Sequence, residues 1–504
     1  MQRLFALVVP VVVLASSCVL PPPDPGTALF PNGVAAGDVT ASGATVWVRT
    51  SSPRHVTLKV YTDQELTGAP VLTTGATATT ATDLTAKVSV SGLAPGTNYY
   101  YRWTSGTDVS RAGRFKTAPD VQTAAPLRFA FAGDSDALPF AGPPAFNNFE
   151  VLDRAYLEQG DFFAYLGDTI YSDSGQEPTP ATTLNEYRDI YEHNRLLPLE
   201  RLLASTGTYA QPDDHEVHND YAGQTVDPSR YANGWQAFHE WMPTDESRTL
   251  TDPSCAGDPR YLTQEWGSQV ELFVLDQRSC RTDTEATEAT CEGDLAPTAP
   301  TELRVFAGLP AAPPDGCLEA LFDPDASMLG SVQKQQFKND LSSSTATWKI
   351  VLSELAWQQF WALPYDRWEG FASERTELLT FIRDEGIDNV LFLTTDNHAN
   401  IHNEVFIDLA TDPDPIAYEA INGPIATNTF EQSVINVGGP ELVAPFNAAL
   451  SVLGVDCRAL DSYAYGLVTV DENGTLTVRA KGTDGKILTD DVTPSTRCVT
   501  TLTP

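Results

Sequence analysis

The chain has 504 residues, 42% of them hydrophobic and 19% charged, which is too long and too apolar for a disordered tail or a mini-protein. Acids outnumber bases 67 to 31, a formal charge of −36, and this excludes nonspecific attraction to a nucleic-acid backbone. An anionic substrate would therefore need a local holder stronger than the overall field, such as a metal ion or a few placed arginines.

Residues 1–18 carry Arg3, an apolar run from Leu4 to Ala15 and then Ser16-Ser17-Cys18, the charge, length and small-residue exit of a secretory signal. The run is shorter than the roughly 20 residues a membrane span needs, and no other stretch qualifies as transmembrane. Cys18 resembles a lipoprotein cleavage site, although Ala15 departs from the usual leucine; a lipid anchor at Cys18 and ordinary cleavage both remain open. The Pro-rich segment 19–28 reads as a linker.

Seven cysteines less Cys18 leave Cys255, Cys280, Cys291, Cys317, Cys457 and Cys498. An even number in a chain that leaves the cytoplasm predicts three disulfides, with 15 pairings open.

From 29 to 120, short runs such as Ala44–Arg49, His55–Tyr61 and Tyr99–Trp103 alternate with turn residues. This predicts a small all-β domain of the fibronectin III type, with Gly92–Tyr99 as the corner before a late strand. From 121 to 504 the texture becomes α/β. Apolar runs at Phe129–Ala132, Phe162–Leu166, Trp348–Ser353 and Val390–Leu393 predict strands. Helices are predicted over Phe149–Glu158 and from Ser373 to a stop at Gly386. Residues 281–327, rich in Thr, Ala, Pro and Glu and holding two cysteines, read as a disulfide-pinned insertion.

Three apolar strands run straight into acids, at Gly133-Asp134-Ser135-Asp136, Gly167-Asp168-Thr169-Ile170-Tyr171 and Thr395-Asp396-Asn397-His398. Ligands in α/β sheets bind beyond the carboxyl ends of strands. If these strands are neighbours, their carboxylates meet in one crevice, where a cation relieves their repulsion. A fourth contributor is Asp213-Asp214-His215-Glu216, in a chain with seven histidines. Such a cluster suits phosphate-ester hydrolysis, in which cations neutralise phosphoryl oxygens and acidify a water.

At these residues the chain resembles the alkaline phosphatase D (PhoD) family of secreted metallophosphoesterases, which includes phospholipase D-like phosphodiesterases. The early part is similar through Phe30–Asp38, Trp47-Val48-Arg49 and Gly113–Thr117. The catalytic part is similar through Gly167–Tyr171, Tyr187-Arg188, Asp213–Glu216, Leu275–Arg281, Met328–Gly330 with Gln333, Asp366–Gly370 and Asp396–His398. The resemblance implies a metallophosphoesterase sandwich of mixed sheets flanked by helices. It also implies ferric and calcium ions as cofactors, a small phosphate mono- or diester as substrate, and a periplasmic, cell-surface or secreted location. Residue by residue it implies Asp168 as the bridging carboxylate, Tyr171 as the phenolate on iron, and Asp396 and His398 as the late ligand pair. Asp214 takes the place of the second-metal ligand, with His215 protonating the leaving group or holding a phosphoryl oxygen. Where the family carries a cysteine ligand, this chain has Asp134, which exchanges a soft donor for a hard one and opens the metal's identity. Asp136 is a second candidate there.

Other readings stay open beside these. Arg278 and Arg281 read either as a phosphate clamp or as ion-pair partners. Asp276 and Asp366 read as calcium ligands or structural acids, Asp213 as a ligand or as the residue that orients His215, and Trp368 as core. His218 reads equally as a surface histidine or as one with a role, and His402 as exposed. The expected activity is metal-dependent phosphate-ester hydrolysis. The alternatives are a phospholipase D-like diesterase and a non-catalytic surface binding protein with a degenerate site, an extracellular nuclease being disfavoured by the acidic surface.

Overall fold

The computed structural model describes residues 27–306, 308–412 and 414–504. The expected signal peptide, Cys18 and the linker up to Gly26 lie outside the described residues. No helix among the described residues is long and apolar enough to cross a membrane.

Two mixed sheets pack face to face. The nine-stranded sheet has at its centre the parallel strands Leu127–Ala132, Phe162–Leu166, Gly207–Gln211 and Val34–Gly37. The seven-stranded sheet is built around the parallel strands Val270–Val274, Trp348–Leu352, Val390–Thr394 and Ala417–Ile421. Side chains alternate across each strand. Phe129, Phe131, Leu166, Leu272, Ile350 and Leu393 fill the space between the sheets. Ala130, Phe163 and Tyr165 face the helices Glu150–Leu157, Leu184–Arg195 and Pro228–Trp241 on one outer side. Phe273, Val351 and Phe392 face the helices Gly330–Ser343 and Ala372–Asp384 on the other. Burial on both faces is why these strands read as unbroken apolar runs rather than as alternating ones.

The segment 29–120 is all β, but it does not close on itself as a free-standing fibronectin-like module. Its strands Val34–Gly37, Ala44–Arg49 and Thr85–Val90 extend the nine-stranded sheet, with Ala36 opposite Gly207 in parallel register. The remaining strands, Arg54–Tyr61, Leu72–Ala78, Asn98–Ser105, Asp108–Val109 and Gly113–Lys116, form a separate sheet. Pairing with Gly207–Gln211 covers an edge that a separate sandwich would leave open. Two polar contacts fasten the join: the Trp47 indole N–H donates to Glu240 O at 2.8 Å, and Arg49 pairs with Glu192 at 2.7 Å. The expected corner is present, with the Ala94 N–H donating to the Tyr99 hydroxyl at 2.8 Å.

The six cysteines form three disulfides, Cys255–Cys280, Cys291–Cys317 and Cys457–Cys498. The second ties the insertion 281–327 to itself, between the short helices Glu285–Thr290 and Cys317–Leu321.

The three acid-tipped strands are not neighbours in one sheet. Leu127–Ala132 and Phe162–Leu166 pair in the nine-stranded sheet, whereas Val390–Thr394 belongs to the seven-stranded one. Their carboxyl ends meet because both sheets open at the same edge, where Thr395 Oγ1 donates to Leu166 O at 2.6 Å across the gap.

Candidate metal centre

The strand ends turn abruptly. Asp134, Asp168, Asp396 and His398 all have left-handed backbones, with φ of 61°, 48°, 51° and 51°. Four such non-glycine residues at one edge carry conformational strain that the surrounding packing must hold in place. Gly167, at φ 73°, has no room for a side chain: a Cβ there would lie 2.5 Å from Asp213 Cβ.

These turns bring the ligand atoms of Asp134, Asp168 and His398 within 4.8 Å of one another, and those of Asp168, Asp214 and His215 likewise. Asp168 belongs to both groups. The Tyr171 hydroxyl lies 3.0 Å from His398 Nε2, beside the first group. A third acidic group, Asp214, Asp220 and Asp366, continues from Asp214. The late pair divides. His398 joins the first group, while Asp396 donates its backbone N–H to Asp134 Oδ1 at 3.0 Å. The Asp396 carboxyl is pushed up to about 6 by burial and then by the charges of Asp366 and Asp214.

Whether cations fit can be read from unsatisfied atoms. Asp134 Oδ2, Asp214 Oδ1, Asn397 Oδ1 and both carboxylate oxygens of Glu354 are buried without a hydrogen-bond partner among the described residues. Buried polar atoms are nearly always paired, and every one of these is an oxygen able to accept. Burial, then the charge of Asp396, raises the Asp134 carboxyl well above the usual carboxylate range; burial, then Asp214, does the same for Asp168. A cation reverses both effects. His398 is pushed down to about 4 by burial and then by His215, which keeps its imidazole neutral and able to ligate. Carboxylate and phenol oxygens with an imidazole and no thiol form a predominantly hard donor set able to hold a cation.

His215 is held at several points. Its Nδ1 lies 2.5 Å from Asp173 Oδ1, its backbone N–H donates to Asp168 Oδ1 at 3.2 Å, and its ring stacks on Tyr171 with centroids 4.0 Å apart. Burial alone would lower its basicity, but Asp214 and then Asp173 raise it to about 10.

Several expected residues serve elsewhere. Arg278 is fully buried and committed to carboxylates, at 2.5 Å from Asp213 and 2.7 Å from Asp366, so it is an internal counter-ion and presents nothing to a substrate. Asp366 also pairs with Arg281. Asp276 accepts from the backbone N–H groups of Arg260, Arg278 and Ser279, which makes it a loop clasp. Asp136 accepts from Ser174 Oγ and the Leu138 N–H. Trp368 is core, stacked on Trp357 at 4.0 Å. His402 is buried rather than exposed, because its strand Asn400–Val405 lies between two others and its ring meets Thr500 Oγ1 and Asn422 Oδ1. His218 is half-buried.

Sequence reasoning missed Asp173 and Glu354. Glu354 carried the same signal as the others, since the apolar strand Trp348–Leu352 runs into Ser353-Glu354. Asp173 had only its nearness to Tyr171.

Residues 140–473 match the family described as PhoD-like phosphatase, and residues 15–119 match its N-terminal domain. Alkaline phosphatase D of Bacillus subtilis (strain 168) is 28% identical over 351 residues, covering 64% of this chain; the chain spans about half of that relative's length, 54%. A solved structure described as that of PhoD superposes with a TM-score of 0.74 at 21% identity, covering 94% of this chain and 89% of the other. A purple acid phosphatase from yellow lupin (Lupinus luteus) seeds gives a TM-score of 0.57 at 11% identity, over 94% and 75% of the two chains. The last two likenesses concern the fold alone.

Proposed function

The chain belongs to the PhoD-like phosphatase family, and we propose from that footing that it is an exported, metal-dependent hydrolase of phosphate mono- and diesters. The observation that carries this reading is the set of buried, unpartnered acceptor oxygens around Asp134, Asp168 and Asp214 at the shared edge of the two sheets. A degenerate binding protein would have no reason to keep acids orphaned in its interior.

Asp134, Asp168, Tyr171 and His398 would hold one cation. Asp168 and Asp214 would hold a second, with Asp396 as a further carboxylate. The hard donor set favours ferric iron and calcium, with Asp134 shifting the balance away from soft metals. Bound cations would supply neutralisation of phosphoryl charge and a more acidic water.

The chain's own groups do the rest. Asp173, ionised and pulled down to about 2 mainly by the hydrogen bond and charge of His215 against the opposing effect of burial, accepts from His215 Nδ1–H and leaves Nε2 to face the site. As water oxygen bonds to phosphorus and the ester P–O bond breaks, the His215 Nε2 proton passes to the leaving alkoxide. The proton released by the water then restores the imidazolium. Tyr171, flat against the ring, fixes its plane.

The test is hydrolysis of p-nitrophenyl phosphate and of its bis ester at alkaline pH, before and after chelation, beside metal analysis. Turnover that stops with chelator and returns with added cation is expected. A metal-free protein, or turnover indifferent to chelator, overturns the reading. Export is tested by fractionation, with lipid labelling of Cys18 distinguishing an anchored from a released form.

A further inference from the structure

The insertion 281–327 is held together chiefly by a covalent bond. Its helices Glu285–Thr290, Thr301–Phe306 and Cys317–Leu321 have 6, 6 and 5 residues, well below the length at which a helix is stable alone. Its buried apolar cluster is Cys291, Cys317 and Leu321, so the Cys291–Cys317 disulfide is its core. Segments with so little apolar surface to bury rely on such staples.

Tyr365 packs against that core. It lies in the loop after the strand Trp348–Leu352, and the insertion grips the same loop elsewhere. The Leu363 N–H donates to Leu295 O at 2.8 Å, the Tyr365 hydroxyl to Asp294 O at 2.7 Å, and the Thr298 hydroxyl to the Glu369 carboxylate. Asp294 is itself held by buried Arg304 at 2.6 Å. The loop needs this grip: Trp361 and Leu363 hold left-handed backbones, at φ 54° and 50°, which large apolar residues adopt only where their surroundings impose it.

Among the gripped residues stands Asp366. Arg278 Nη1 and Nη2 donate to its two oxygens at 2.7 and 2.9 Å, and Arg281, the first residue of the insertion, donates to the same carboxylate. A guanidinium held as a fork has its remaining donor fixed in direction. That donor, Arg278 Nε, lies 2.5 Å from Asp213 Oδ1. The contact crosses between the sheets, since Arg278 follows the strand Val270–Val274 and Asp213 follows Gly207–Gln211. Asp213 opens the segment that carries Asp214 and His215, and its Cβ is the atom that leaves no room for a side chain at Gly167, one residue before Asp168.

We propose that the insertion is a brace for the metal centre: the Cys291–Cys317 core sets Tyr365 and Asp366, and Asp366 aims Arg278 at Asp213, which fixes the segment carrying Asp214 and His215. Tyr365 and Asp366 are thus positioning residues that act through Arg278. The inference rests on the phosphoesterase function proposed above. A brace differs from a plain stabiliser of the rim in that its removal is felt at 213–217, on the other sheet, where the N–H groups of Asp213, His215 and Val217 are all hydrogen-bonded.

The experiment follows backbone hydrogen exchange in the chelated protein and steady-state kinetics in the metal-loaded one. Cys291→Ala/Cys317→Ala removes the core, while Tyr365→Phe removes only the bond to Asp294 and keeps the packing. In the double variant, exchange over 213–217 is expected to quicken about tenfold, and kcat on p-nitrophenyl phosphate to fall about tenfold with KM within about twofold of wild type. Tyr365→Phe is expected to change both by about threefold. In an Asp366→Ala background the cysteine changes are expected to lower kcat by at most about a further twofold, because the chain of contacts is already cut. Exchange that quickens only within 281–327 and 360–369, with kcat unchanged in both variants, overturns the brace. So do losses that multiply in the Asp366→Ala background. Where the double variant does not fold, Tyr365→Phe alone decides. If wild type hydrolyses no ester yet exchange over 213–217 responds, the hydrolase reading falls and the brace stands. If wild type turns over and neither variant changes kcat or exchange at 213–217, the brace falls and the hydrolase reading stands.

Discussion

Asp173 Oδ1 lies 2.5 Å from His215 Nδ1, and the second oxygen of the same carboxylate accepts the Asn219 N–H at 2.7 Å. The acid is thus anchored by backbone on one side and aims the imidazole on the other. A carboxylate accepts and does not donate, so the pair fixes the proton on Nδ1 and assigns the ring's remaining nitrogen to the site.

Asp173→Asn removes the charge while keeping the shape. With the amide able to donate, the ring can turn over or change tautomer. The expected result is a fall in kcat of about 10- to 100-fold, little change in KM, and partial recovery in Asp173→Glu. Steady-state kinetics on p-nitrophenyl phosphate check it. An unchanged kcat would remove Asp173 from the mechanism.

Asp168 stands in both ligand groups, so Asp168→Asn should lose bound metal and turnover together. Stability should move the other way. Metal-free, the variant has one less buried charge repelling Asp214 and Asp213, and is expected to melt no lower than chelated wild type. Added cation should raise the melting temperature of wild type, by about 3 kcal/mol in stability at a hundredfold excess over Kd, and do little for the variant. Elemental analysis and melting curves read both halves.

Asp134→Cys returns a soft donor to a site whose other donors are hard. Bound metal should shift toward iron, with a visible thiolate-to-iron absorption band. Unchanged metal content and a visible spectrum identical to wild type would show that residue 134 is no ligand.

His402 predicts an acid-sensitive core. Burial pushes its imidazole from 6.5 down to about 4. Between those values the unfolded chain binds a proton that the folded chain does not, so stability falls as pH drops from 6.5 toward 4 and levels off below. The loss across that window is about 3 kcal/mol. His402→Gln should lack this component, and the difference between the two proteins in denaturation midpoint at pH 7 and at pH 4.5 measures it. Parallel losses in both would refute the assignment.

How much was legible depended on the distance over which each signal acts. Strand bounds at Phe162–Leu166 and Ala44–Arg49 follow from the sequence because apolar runs and turn residues are local. The even cysteine count announces three bridges, but not that Cys291 finds Cys317, since pairing is settled by where the insertion folds back. Arg278 and Arg367 look alike in sequence. Arg278 is neutralised by Asp213, carried by the opposing sheet, and by Asp366 from a loop of its own sheet, while no carboxylate lies within ion-pair distance of Arg367 among the described residues.

By itself the sequence determined the chemical character of the centre: acids placed after buried strands, a histidine among acids and a tyrosine three residues beyond Asp168, because residue type and strand-end position are local properties. Tertiary structure alone decided that Asp134 and Asp168 meet His398 across two sheets rather than along one, that the N-terminal strands complete the nine-stranded sheet, and that Asp173 aims His215. Those outcomes depend on how two twisted sheets stack and where their carboxyl edges coincide, which is a property of packing among residues far apart in the chain.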